Sequence, residues 1–98
     1  MSLQETSPSG TRTYEITVGG EFHVGRLSSN NLQINHKTVS GLQCIFIAGP
    51  DGISVRNNSS SNITRINGVK LEDVRVLELG DVLKLGSVQL TVLMIRKL

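Results

Sequence analysis

With 98 residues, 38% of them hydrophobic and 18% charged, the chain has material for one core rather than two, and roughly 60–70% of its unfolded surface can be buried on folding. Ten Lys and Arg against eight Asp and Glu leave a formal net charge of +2, too small and too scattered to serve as an electrostatic footprint for nucleic acid. No run approaches the ~20 apolar residues of a membrane-spanning helix, and the opening MSLQETSPSG lacks the positive start and apolar stretch of a signal peptide. The expectation is a soluble, intracellular protein, cytoplasmic or nuclear, with neither nucleic acid nor membrane as partner. Cys44 is the only cysteine, which rules out an internal disulfide, and its place in LQCIFIA marks it as a small apolar core residue.

Residues 1–12 are rich in Ser, Thr, Gln and Gly, contain Pro8 and show neither helical nor strand periodicity, so they read as a flexible leader to a domain over 13–98. From Thr13 onward, short apolar-alternating runs are cut by turn residues every 8–12 residues or so, the spacing of a sandwich or barrel. TYEITV (13–18) and EFHVG (21–25) flank Gly19-Gly20, which suits a two-residue hairpin. NLQI (31–34) follows a Ser/Asn loop, and LQCIFIA (42–48) and GISVRN (52–57) flank the turn around Gly49-Pro50-Asp51-Gly52. Then come ITRI (63–66), the Asn67-Gly68 turn, VKL (69–71), VRVLEL (74–79), DVLKLG (81–86) and VQLTVLMIR (88–96). The last run is long enough to need partners on its ladder, and the first strand is the expected neighbour. Aromatics are scarce and β-branched residues dense, so the reading is all-β, with no substantial helix.

Three loops hold the residues with chemistry to offer: Gly25-Arg26 followed by LSSNN, KTVSG (37–41) and SSSNIT (59–64). Arg26 presents a planar fork of donors, Ser40 and Ser61 carry hydroxyls, and Asn62 carries an amide with donors and an acceptor. Brought together on a rigid scaffold, an arginine, hydroxyls and backbone N–H groups form a cradle for a dianionic phosphate.

The order VGR (24–26), NLQINHKTVSGLQC (31–44), SSNITRINGVKL (60–71) and LELGDVLKLG (77–86) resembles the forkhead-associated (FHA) domain, from about Glu21 to Val92. The resemblance implies an antiparallel-rich, two-sheet β-sandwich of about eleven short strands, whose loop edge binds phosphothreonine in an extended peptide. It implies that Arg26 pairs with the phosphate and that Ser40 donates its hydroxyl to it. Gly41 offers only a backbone N–H, Ser61 contributes to the phosphate and threonine-methyl surroundings, and Asn62 bonds the ligand backbone. Gly25, Asn67, Gly68, Gly80 and Asp81 would serve the fold. Two positions depart from the family pattern: Gln43 stands where the family has a histidine that supports the binding loop, and Ile63 stands where it has glycine, which makes the backbone there more strand-like. Asn58 competes with Asn62 for the asparagine role if the loop is shifted; the distance to Thr64 and Asn67-Gly68 favours Asn62.

His23 and His36 have no coherent set of ligands around them in sequence, so no metal and no cofactor is expected. Ser40, His36 and Asp51 could be drawn as a hydrolase triad, but there is no nucleophile elbow and no glycine-rich oxyanion segment, and GxxxxGK is absent. The expected role is therefore a phosphopeptide-binding module and not an enzyme, with a threonine-phosphorylated protein as partner. The alternative is a degenerate FHA-like scaffold or dimerisation module without phosphate recognition, motivated by Gln43 and Ile63.

Overall fold

Runs of Val, Ile and Leu at alternate positions, interrupted by glycine and asparagine turns, favour short strands with one buried face. The computed structural model describes residues 1–96, and among these it has eleven strands and no helix. In chain order the strands are β1 (Ser2–Ser7), β2 (Gly10–Glu15), β3 (Glu21–Gly25), β4 (Leu32–Gln33), β5 (Cys44–Gly49), β6 (Gly52–Asn57), β7 (Arg65–Ile66), β8 (Val69–Lys70), β9 (Arg75–Val76), β10 (Val82–Leu85) and β11 (Val88–Met94). They form a six-stranded sheet in the order β2-β1-β11-β10-β7-β8 and a five-stranded sheet in the order β4-β3-β5-β6-β9. Only β3 and β4 pair in parallel among the described pairs.

The inner faces meet in one cluster. Leu3, Ile66, Leu83, Leu85, Leu90 and Val92 come from one sheet, and Val24, Cys44, Phe46 and Val55 come from the other. Phe46 is fully buried and stacks on Phe22 with ring centroids 6.2 Å apart, so two of the three aromatics meet at one point.

The N-terminal segment corrects the sequence reading. Residues 2–7 and 10–15 are not a leader: they form a hairpin closed by Pro8-Ser9, and β1 lies between β2 and β11, paired with both. Its one strongly apolar residue, Leu3, is completely buried. Ladder bonds on both sides therefore hold β1 more than side-chain pattern does, which is why SLQETS carries no visible periodicity. The last strand is indeed beside the first, but that neighbour is β1 and not TYEITV. Residues 97 and 98, the end of the body expected over 13–98, lie outside the described residues.

The Gly19-Gly20 hairpin also fails. β2 and β3 belong to different sheets, and Gly20, at φ +126°, shapes a crossing between them; its carbonyl accepts from the Ala48 N–H at 3.0 Å. Strand β2 stops at Glu15, and Ile16 and Val18 instead pack against the core from the crossing. VRVLEL shortens to Arg75–Val76 because the Asp81 carboxylate accepts from the Glu78 N–H at 2.8 Å and turns the chain before β10.

Burial of the Cys44 thiol pushes its pKa from 9.0 up to about 12. Because the folded value is the higher one, the neutral thiol's contribution to stability is complete below about pH 9 and is lost as pH climbs towards 12. Cys44 is expected to resist alkylation at pH 8 in native protein and to react promptly in denaturant, as read by mass spectrometry. Leu3→Ala is expected to destabilise the domain by about 2–5 kcal/mol in urea unfolding, a loss that a flexible leader would not produce.

Candidate functional site

Strand β3 ends at Gly25, where the chain passes so close to the loop before β5 that a Cβ would lie 2.3 Å from the Gly41 carbonyl oxygen. Glycine is therefore required for contact between the two backbones. The Arg26 N–H donates to the Ser40 carbonyl at 2.9 Å, and the Leu27 N–H donates to that of Gly41 at 3.3 Å. The guanidinium is anchored through Nε to the Val39 carbonyl at 3.1 Å, and its remaining N–H groups have no partner among the described residues. Anchoring lowers the entropy that the side chain would otherwise lose on meeting an anion.

Ser40 is fixed from behind by Gln43, whose amide is fully buried. The Gln43 Oε1 accepts from the Ser40 N–H at 3.0 Å, while its Nε2 donates to the Asn62 carbonyl at 2.7 Å and to the Thr64 hydroxyl at 3.1 Å. One side chain thus spans the loops carrying Ser40 and Asn62. The Asn62 Nδ2 returns the link by donating to the Thr38 carbonyl at 2.7 Å.

The loop from 58 to 63 is closed at its base by Asn57. Its Oδ1 accepts from the Thr64 N–H at 3.1 Å and the Thr64 hydroxyl at 2.9 Å, and its Nδ2 donates to the Ser59 carbonyl at 2.8 Å. The buried Ser59 hydroxyl accepts from the Asn62 N–H at 3.1 Å and lies 2.6 Å from the Ser40 hydroxyl. The third support is Gly86. Its φ is +62°, a Cβ there would come within 2.4 Å of the Thr38 carbonyl, and the neighbouring Ser87 N–H donates to the Thr38 hydroxyl at 2.8 Å.

These contacts leave an open depression of about 390 Å³ lined by Arg26, Lys37, Thr38, Val39, Ser40, Gly41, Ser61 and Asn62. The five residues singled out from sequence, Arg26, Ser40, Gly41, Ser61 and Asn62, all stand on this one surface. Its lining contains two cationic side chains and no carboxylate. Ile63 is not part of the lining, and Asn58 is directed elsewhere, donating to the Leu42 carbonyl at 3.2 Å. Sequence reading missed Lys37 and Thr38 at the rim and Asn57 and Ser59 beneath it. The polar run 57–62 between two strands was the available signal, since Asn and Ser there can close a loop on its own backbone.

An antiparallel-rich β-sandwich with a cationic, hydroxyl-lined depression at its loop edge belongs to the class of scaffolds suited to holding an anion on loops. The FHA domain family model matches residues 22–86, and the chain belongs to that family. It is 31% identical over 89 residues to the ABC transporter ATP-binding/permease protein Rv1747 of Mycobacterium tuberculosis, covering 91% of this chain and 10% of that protein, so the chain spans about a tenth of that relative's length. An FHA domain solved in work on phosphothreonine-dependent FHA domain interactions superposes with a TM-score of 0.82 at 25% identity, covering 98% of this chain and 97% of that one. The FHA domain of CT664 from Chlamydia trachomatis shares the fold with a TM-score of 0.84 at 17% identity, over 97% of each chain.

Gln43 makes the loop-to-loop bonds just described. Removing its amide leaves the Ser40 N–H and Asn62 carbonyl without their partner, and each such group costs about 1–3 kcal/mol when buried. Gln43→Ala is therefore expected to destabilise the domain by about 2–5 kcal/mol in denaturant titration, with Gln43→His retaining part of the loss. A change under about 0.5 kcal/mol, typical of exposed positions, would show that the amide does not brace the loops.

Proposed function

We propose that this domain is a binding module, not an enzyme, that recognises phosphothreonine in an extended segment of a partner protein. The observation that carries the reading is the convergence of Arg26, Ser40, Gly41, Ser61 and Asn62 on one depression with cationic side chains and no carboxylate in its lining. The phosphothreonine-dependent FHA interactions studied with the structural relative at 25% identity support it.

The roles follow from which atoms the fold leaves unused. The free guanidinium N–H groups of Arg26 pair with phosphate oxygens, a charge-assisted contact with fork geometry. The Ser40 and Ser59 hydroxyls lie 2.6 Å apart and either can donate; because Ser59 already accepts from the Asn62 N–H, its proton can turn to the Ser40 oxygen when a phosphate oxygen takes the Ser40 proton. The Gly41 N–H and Ser61 hydroxyl complete the donor set on the open side. Because the Asn62 Nδ2 is held by the Thr38 carbonyl, its Oδ1 is left to accept from a ligand backbone N–H. Gln43 preserves the separation of the two loops and Ile63 leaves the depression open, so neither departure from the family pattern favours a scaffold without phosphate reading. A threonine-phosphorylated intracellular protein is the partner this chemistry fits.

Phosphate adds roughly −1.5 to −2 charges with a second pKa near 6, so binding should weaken as pH falls below that value. A hydrogen bond to a charged group contributes about 1.5–3 kcal/mol, and Arg26→Ala is expected to weaken binding about 10–100-fold. Titration of a phosphothreonine peptide library and its unphosphorylated counterpart against both proteins checks this. Equal affinity for the two peptide forms would end the proposal.

A further inference from the structure

Lys37 has no counterpart in the phosphate chemistry just assigned, yet its residue lines the same depression as Arg26. It is exposed, lies on the turn between β4 and Ser40, and forms no ion pair among the described residues. The turn carrying it is not loose. His36 Nδ1 lies 2.8 Å from the Thr38 hydroxyl, the Val39 N–H donates to the His36 carbonyl at 3.0 Å, and Asn62 and Ser87 both bond Thr38. The backbone on each side of Lys37 is thereby fixed relative to the phosphate-facing groups.

A lysine is a compact point charge on a flexible stem, whereas arginine offers a directional fork. At this rim Arg26 supplies the directional contact and Lys37 supplies charge that can follow a group on a neighbouring ligand residue. No carboxylate in the lining offsets either cation. An extended ligand advances roughly 3.3 Å per residue, so a side chain one or two positions from the phosphothreonine passes the rim within reach of a lysine stem.

Resting on the phosphothreonine reading above, we propose that Lys37 is a specificity-determining residue that selects ligands with an acidic side chain, Asp or Glu, within two residues of the phosphothreonine. An exposed ion pair is worth about 0.2–1 kcal/mol, equivalent to an advantage of roughly 1.5- to 5-fold for the acidic ligand at low salt. The advantage fades as salt screens the pair.

The test uses phosphothreonine peptides with Asp or Ala at each of the four flanking positions, their unphosphorylated forms, and the wild type beside Lys37→Gln, Lys37→Arg and Lys37→Glu. Affinities at low and high salt are read by calorimetry, with thermal unfolding to verify that each variant is folded. The quantity of interest is the Asp-over-Ala ratio, because loss of a nearby cation also lowers the affinity of every dianionic ligand. At one position or more, that ratio is expected to be roughly 1.5 to 5 in wild type, to persist in Lys37→Arg, to fall to about 1 in Lys37→Gln and to invert in Lys37→Glu. A ratio near 1 at all positions in wild type, or one that is unchanged in Lys37→Gln, overturns the assignment while leaving phosphate reading intact. Equal binding of phosphorylated and unphosphorylated peptides is a separate result that removes the phosphothreonine reading, and this inference with it.

Discussion

The amide of Gln43 is a buried, neutral cross-piece between two loops that are far apart in sequence. Its oxygen accepts from the Ser40 N–H and its nitrogen donates to the Asn62 carbonyl and the Thr64 hydroxyl, so both ends of the amide dipole are engaged. The Thr64 hydroxyl passes the chain of bonds on to Asn57, which closes the base of the second loop. A buried polar network is stabilising only when its members are satisfied, and no buried side-chain nitrogen or oxygen among the described residues lacks a partner. The separation between Ser40 and Asn62 is thus set by bonds inside the protein before any ligand arrives. A neutral amide does this without the proton equilibrium that an imidazole would bring to the same place.

Two backbone approaches give that brace a fixed frame. Gly25 lets the end of β3 touch the backbone at Gly41, and Gly86 lets the β10–β11 turn lie under Thr38. Either contact is closed to a residue with a Cβ, and in Gly86 the positive φ adds a second reason. The loop from Lys37 to Gly41 is therefore gripped from two sides while Asn62 holds it from a third. Loops on a rigid sandwich can present polar groups outward at little entropic cost when their own backbones are tied down in this way.

Local charge at the depression has little to do with the bulk charge of the chain. The net +2 is unremarkable as a whole, but the lining collects Arg26 and Lys37 from separate loops and excludes carboxylates. Acidic residues are used elsewhere: Asp81 holds the Asn67 amide at 2.9 Å and the turn before β10, and Glu5 accepts from the Tyr14 hydroxyl at 2.7 Å. The carboxylate beside Tyr14 adds to partial burial in raising the phenol pKa.

The sequence by itself determined an all-β chain of sandwich or barrel type, the turns at Asn67-Gly68 and between β5 and β6, and the loops on which Arg26, Ser40, Gly41, Ser61 and Asn62 stand, while the choice of a sandwich came from the family resemblance. Each of these is local: alternation fixes a strand face, and glycine or asparagine fixes a turn, through sterics that act over a few residues. Only the tertiary structure decided that SLQETS is an interior strand, because apart from the buried Leu3 it is held by backbone bonds to β2 and β11 that leave no trace in its side-chain pattern. It also decided that Gly19-Gly20 crosses between sheets, since a glycine pair permits a turn without choosing its partner. Gln43, Ser59 and Lys37 became interpretable in the same way: the buried amide and the buried hydroxyl acquire meaning from residues 19 to 21 positions away, and the rim cation from Arg26 on a separate loop, across contacts that loop closure alone creates.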